Sequence, residues 1–507
     1  MSDSNDPTEN GYFRNWVSIA GLGLMLASFF GGVLFTVMEL LSGAPLAYAG
    51  LLYVLCTGFI VVGFLLIPVG ALLERWRRKG GRRSRPLTEF RFDLRDRQHR
   101  LGAIAVIAGA VLVLTLVPLG AYKSFHATES VEFCGQLCHE VMNPEWVRYH
   151  ESSHARVSCV ECHIGAGAGW FVRSKLSGLR QIWAVTVDSF PRPIPTPIRD
   201  LRPARETCEE CHWRRKFIGY KEISRAYFLS DEENTLHQLR MLIKIGGEKT
   251  TFMQGSGIHY HMLIASQVQY IATDDRRQEI AWVRVARADG SVTEFERLDE
   301  PLTDEEKATL EVRTMDCIDC HNRPAHQFPA PMELVNDAMG EGSISRELPS
   351  IKVQAVKALD DGYETTEAAM IEIANSMRDF YRRDYPEVFA KKAYALTASI
   401  KKVQSIYRET IFPGMKADWS AYPNNIGHRD SPGCFRCHND ELESAAGDTI
   451  FTTCNKCHLI LAQGENIEQV NVDLEKGLPF IHPEDFETIE EYTECTDCHT
   501  GGAAVYE

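Results

Sequence analysis

The chain has 507 residues, room for several domains, and 54 Lys+Arg against 69 Asp+Glu give it a formal net charge of −15. Residues 1–100 carry 12 Lys+Arg against 8 Asp+Glu, and the remainder carries 42 against 61. A nucleic-acid partner is excluded for so acidic a surface, which suits a cationic or patch-matched protein partner and also keeps the chain soluble.

The first hundred residues do not read as globular. Trp16 to Met38, Leu40 to Leu73 and Leu101 to Tyr122 are each free of charged residues, and each is long enough to cross a hydrocarbon core of about 30 Å. Three membrane helices are therefore expected, forming an anchor over residues 1–123. Between the second and third, "ERWRRKGGRRSR" opens a basic loop, 74–100, with seven Lys or Arg in that stretch, whereas the loop after the first helix has none. Positive loops stay inside. The amino terminus is then cytoplasmic and everything after Tyr122 lies on the other side. No small-residue cleavage site follows the first apolar run, so it reads as an anchor and not as a removed signal peptide.

Beyond the anchor the cysteines dominate. Six C-x-x-C-H motifs occur: Cys159/Cys162/His163, Cys208/Cys211/His212, Cys317/Cys320/His321, Cys434/Cys437/His438, Cys454/Cys457/His458 and Cys495/Cys498/His499. Chance supplies on the order of 0.01 such motifs in a chain of this composition. A seventh, "FCGQLCH", has one residue more between Cys134 and Cys138 before His139. Fourteen of the 15 cysteines fall in these motifs, leaving Cys56 in an apolar run as a packing residue. Two thiols that add across haem vinyl groups, with the next imidazole under the iron, explain every motif. Zinc ribbons do not need a histidine directly after each second cysteine. Seven covalent haems c are expected, the stretched motif included. Covalent attachment takes place on the outer face of a bacterial inner membrane, so motifs and topology agree on a periplasmic haem domain.

The motifs have no fixed period. They divide the chain into a three-haem region at 124–232, a β-rich insertion at 233–312, a fourth haem with helices at 313–412 and a C-terminal three-haem region at 413–507. "YIATDDRRQEIAWVRVARADGSVTEFERL" alternates apolar and polar residues around a turn at Ala288-Asp289-Gly290. Residues 352–411 have apolar positions at three and four spacing, as helices do. The fold class expected is a multihaem cytochrome c: an α-rich, loop-rich haem domain with a small β insertion on a three-helix membrane anchor. Porphyrin would supply much of its core.

An electron-transfer haem takes a second strong axial ligand, usually His or Met. The candidates are His154, His259, His261, His326, His428 and His482, with His126, His150 and His237 behind them. If "GIHYHM" is a strand, His259 and His261 point to opposite faces and serve two different haems. Met142, three residues after His139, is close enough to compete for the first iron or to join His139 on it.

These residues resemble a known family. An apolar helix followed closely by haem motifs, Met142 after the first, "SSHARVSCVECHIGAG" at the second and "WFVRSKLSGLRQ" beyond are similar to the NapC/NirT group of membrane-anchored multihaem quinol dehydrogenases. The likeness covers roughly residues 110–215. Over its whole length, the chain looks more like the heptahaem inner-membrane cytochromes of metal-reducing bacteria. In the group, a lysine after the second motif lies by the quinone pocket, and Lys175 matches it. The group's acidic partner, about two turns further on, has no counterpart, since Arg180 and Gln181 stand there. Glu39, Lys123, His126 and Glu129 are substitutes at the outer membrane edge.

The expected function is to oxidise (mena)quinol from the membrane pool and pass electrons to periplasmic cytochromes, other redox proteins or outer-membrane acceptors in anaerobic or extracellular respiration. A terminal reductase of a small oxyanion such as nitrite, or a haem subunit docked to a catalytic protein, are the alternatives. An oligomer fits the sequence equally well.

Overall fold

Trp16–Ser42 (α1) and Ala49–Lys79 (α2) fold as helices because apolar residues cover them on every side. Within them Trp16–Val37 and Leu55–Trp76 are long and apolar enough to cross a membrane. Small residues let the two helices close on each other. A Cβ at Gly21 would stand 2.6 Å from the Gly63 carbonyl oxygen and the reverse holds at Gly63, while the Ser18 hydroxyl donates to the Ile67 carbonyl at 2.9 Å.

This computed structural model describes residues 15–42, 49–79, 119–120, 122–137, 139–164, 168–198, 202–213, 216–246, 257–262, 266–450, 453–467, 475–483 and 495–503, with single positions at 95, 97, 100, 104 and 473. The expected third span and basic loop fall mostly outside these residues. So do Cys138 and the side chains of Glu39 and His139. The chain divides into two units, residues 1–143 with 158–160, and residues 144–157 with 161–507.

In the first unit, α1 and α2 are followed by Val131–Gln136 (α3), which carries Cys134 and is capped by the Ser130 hydroxyl on the Phe133 N–H. His139–His150 (α4) begins at the first motif's histidine.

The second unit opens with the rest of α4; Cys159–His163 (α5) starts in the first unit and ends in the second, and Ala168–Thr186 (α6) and Ala204–Cys208 (α7) follow. Two antiparallel sheets follow. The first has the order β1–β2–β8, from Gly219–Phe228, Leu236–Gly246 and His458–Gly464. The second runs β6–β3–β4–β5–β7, from Arg313–Thr314, Ser266–Ala272, Ile280–Arg287, Val292–Arg297 and Leu442–Ser444. The turn at residues 288–291 joins β4 to β5, with Gly290 at φ +84°. The β region is therefore not a self-contained insertion over 233–312. β1 precedes that range and β6, β7 and β8 lie after it, because strand edges need partners and find them beside the haem motifs.

That arrangement positions the motifs. β6 runs directly into the fourth, β7 leaves the fifth, and β8 begins at the sixth motif's His458. A helical core stands beside the sheets: Asp304–Thr309 (α8) and the motif helix Cys317–Cys320 (α9) lead to Pro331–Gly340 (α10), Ile351–Asp360 (α11), Thr366–Asp384 (α12), Pro386–Lys391 (α13) and Ala393–Thr410 (α14). Val335, Ile351, Val356, Ile373, Met377, Tyr381, Val403 and Tyr407 are buried together there. The last motif forms the short helix Cys495–Cys498 (α15).

Candidate haem-binding sites

Each of the six regular motif histidines faces a second imidazole. Ring centroids lie 6.1 Å apart for His154 and His212, 6.3 Å for His163 and His326, and 6.4 Å for His259 and His321. The remaining pairs are His261 with His438 at 5.9 Å, His428 with His458 at 6.1 Å and His482 with His499 at 6.2 Å. Direct ring contact would be closer. A metal–nitrogen bond of about 2 Å, plus roughly 1 Å from nitrogen to ring centre on each side, spans about 6 Å. The spacing leaves room for one iron between each pair. All six partners are histidines singled out in the sequence.

The polar surroundings set the tautomer. Nδ1 of His259 lies 3.0 Å from the Ile245 carbonyl oxygen, Nδ1 of His261 3.1 Å from that of Ile258, Nδ1 of His326 3.0 Å from that of Glu145 and Nδ1 of His154 3.3 Å from that of Pro324. A carbonyl only accepts, so Nδ1 carries the proton and Nε2 keeps its lone pair, as ligation requires. Burial, before any other cause, holds His163, His259, His261, His321, His326, His428, His458 and His499 below the usual histidine range and so neutral. Arg323 donates to both carboxylate oxygens of Glu145 at 2.7 Å, which fixes the helix that supplies the His326 acceptor.

The strand expected at "GIHYHM" is a turn of 3-10 helix, Ile258–Met262. Gly257 breaks the extended path. Its φ is +92°, and a Cβ there would stand 2.5 Å from the Lys244 carbonyl oxygen at the end of β2. The two histidines still diverge, because residues two apart on so tight a helix point well away from each other. One meets the fourth motif and the other the fifth.

The motifs themselves touch. Cys159 is within hydrogen-bonding reach of Cys134, and Cys317 of Cys208. In the fourth motif, Asp319 sits between the two cysteines and is 4% exposed. The Tyr270 hydroxyl and Arg313 Nε each donate to its Oδ1 at 2.7 Å, and Arg277 Nη1 is 3.6 Å away. Burial first, then Asp319, pushes the Tyr270 hydroxyl well above its usual range. Arg436, from the fifth motif, donates to the Asp319 carbonyl at 2.8 Å. This buried network, which joins two motifs, was not anticipated from sequence. An acidic residue inside a C-x-x-C-H motif was its only sign.

Cys162 lies near the end of α5. Cys211 stands in the turn after α7, where its N–H donates to the Cys208 carbonyl at 3.2 Å. Cys454 stands at the start of the 3-10 turn Cys454–Lys456, and burial pushes the Cys437 thiol up to about 12.

Other candidates are placed as follows. Met142 lies half-buried on α4, one turn beyond His139 and on the same face. Lys123 is exposed. His126 is exposed beside Tyr122, their ring centroids 4.3 Å apart. Lys175 is half-buried on α6, whose Leu176, Leu179 and Trp183 are 62%, 64% and 68% exposed along one stripe. His150 turns its Nδ1 to the Trp146 carbonyl of its own helix at 2.8 Å, and His237 is buried in β2. Among the described residues no other cluster of His, Cys, Asp or Glu could hold a metal ion.

Paired thiols and paired neutral imidazoles fit haem c, and together with the apolar N-terminal helices they define a membrane-anchored multihaem c-type cytochrome of electron transport. The model of the NapC/NirT cytochrome c family, N-terminal region, matches residues 96–193. The chain is 41% identical over 499 residues to cytochrome c-type protein ImcH of Geobacter sulfurreducens, covering 97% of this chain and 96% of that protein. It is 36% identical over 80 residues to cytochrome c-type protein NrfH of Wolinella succinogenes, 15% of this chain and 44% of that protein. The chain belongs to the NapC/NirT-type cytochromes c. No solved structure matches it.

Proposed function

We propose that the protein oxidises (mena)quinol at a bacterial inner membrane and conducts the electrons through seven haems c to periplasmic or outer-membrane acceptors. The amino terminus is cytoplasmic and the haem domain periplasmic. The observation that carries this reading is the set of six imidazole pairs: with both axial positions taken, none of those haems offers an open site to a small oxyanion. Conduction therefore fits better than terminal reduction. His139, with Met142 on the same helical face, serves the first haem.

Haem c supplies one-electron chemistry when bound. The chain's own residues handle the quinol, and Lys175 is the cation proposed for it. A lysine near the ring stabilises the phenolate as the proton leaves, an effect that strengthens where water is scarce. The exposed apolar stripe of α6, with Arg173 and Arg180 also on that helix, is the pattern of a helix lying at a lipid interface, where quinol dissolves. Lys123 and Glu39, near the outer ends of apolar segments, are the further charged groups of the quinol site.

Lys175→Ala is expected to slow haem reduction by a menaquinol analogue about tenfold or more, with reduction by dithionite and haem content unchanged. Wild-type quinol kinetics with unchanged inhibitor sensitivity would reduce Lys175 to a surface lysine. A haemochrome assay against protein mass is expected to give seven haems per chain. Six, with Cys134 and Cys138 unmodified, would remove the stretched motif from the set.

A further inference from the structure

From the third motif onward, neighbours in sequence are neighbours in space. Cys208 reaches Cys317, Cys320 lies near Cys434, Cys457 near Cys434, and Cys495 Sγ lies 4.0 Å from Nδ1 of His428, the imidazole facing His458. The row ends at His482 and His499. There the two residues before His482 are large, apolar and outward-facing: Phe480 is 54% exposed and Ile481 63%.

The course of this segment is built into the fold. The Leu478 N–H donates to the Ile460 carbonyl at 2.8 Å, Gln463 Nε2 to the Pro479 carbonyl at 2.7 Å, and the Ile481 N–H to Gln463 Oε1 at 3.2 Å. The segment is thus tied to β8. Phe480 stands edge-on to the His482 ring at 6.3 Å. Charge singles out the same end of the chain, since residues 464–507 hold 12 Asp+Glu and one Lys+Arg. Asp473 and Glu475 of that set are exposed on the same segment.

We infer that Phe480 and Ile481, with Asp473 and Glu475 exposed on the same segment, form the surface where electrons leave, and that its occupant is a small redox protein whose exposed haem edge is ringed by lysines. The inference rests on the conduction reading and names where conduction ends. An apolar contact excludes water over the path, and opposite charges steer encounter without holding the product, as a transient electron carrier needs. The exchange is a single electron: this chain is oxidised by one, the partner's ferric haem is reduced by one, and no bond or proton changes hands.

The test uses the full-length protein in detergent, reduced by dithionite and mixed with oxidised mitochondrial cytochrome c, a basic monohaem protein. Because dithionite replaces quinol, the exit step is read whether or not the quinol reading holds. Glu475→Lys combined with Phe480→Ser is expected to lower the second-order rate constant about tenfold at low ionic strength and to flatten its salt dependence. Binding of redox-silent zinc-substituted cytochrome c, followed by calorimetry, is expected to weaken in parallel. Glu300→Lys, a charge reversal on an exposed carboxylate outside this segment, is expected to change the rate less than twofold. Haem content and low-spin spectra, unchanged in both variants, certify folding. Equal slowing by both variants, no slowing by the first, or faster transfer in it would overturn the inference.

Discussion

His259→Ala is expected to convert one low-spin haem to high spin, and His261→Ala a different one. His259 faces His321 and His261 faces His438, so the two losses fall on the fourth and fifth haems and add in the double variant. An imidazole withdrawn from a buried site leaves only water or nothing to take its place, and a weak sixth ligand cannot keep the iron low-spin. Electron paramagnetic resonance counts the low-spin signals, with one lost in each single variant and two in the double. Unchanged spectra in both single variants would remove the pair from the ligand set. Gly257→Ala is expected to disturb both haems at once, since its Cβ would collide with the Lys244 carbonyl and the backbone of Gly246. One methyl group would then cost two ligands without touching either, a signature that a defect local to one haem cannot produce.

Asp319→Ala is expected to destabilise the region around the fourth motif by about 3–5 kcal/mol, the usual cost of removing one partner of a buried ion pair. Arg313 and Arg277, 20% and 19% exposed at the side chain, would lose the carboxylate that neutralises them, and the Tyr270 hydroxyl would lose its acceptor. The Asp316 N–H would also lose its bond to Oδ2, a capping contact at the start of α9. Hydrogen exchange of β3 and β6 amides measures this directly, and protection there should fall by two orders of magnitude or more. Asp319→Asn keeps an acceptor and the side-chain shape but not the charge, so its loss should be smaller. Equal protection in Asp319→Ala and wild type would show the network to be dispensable. Because haem is joined only through the flanking thiols, haem content is expected to survive both substitutions.

What the sequence alone determines is the chemistry. Seven C-x-x-C-H-type motifs can be read as candidate haem sites because thioether formation and proximal ligation need only five adjacent residues, or six in the stretched motif. Apolar runs define membrane spans because hydrocarbon tolerates no unpaired backbone. The six histidines that face motif histidines could also be picked out as candidates, since haems in number would need strong donors and few other histidines remain. Which imidazole faces which motif histidine was decided only by the tertiary structure. His154 stands five residues before the second motif yet faces the third motif's His212, and His326, five residues after the fourth motif's histidine, faces His163 of the second. In each of the six pairs the facing imidazole comes from outside the motif that it meets. The 3-10 turn at 258–262 and the Asp319 network belong to the same class. The first depends on how closely Gly257 approaches the end of β2, and the second on β3, β6 and two motifs converging on one carboxylate. Local sequence specifies covalent attachment and periodicity, whereas contacts between segments far apart in the chain exist only once the sheets and motifs have packed.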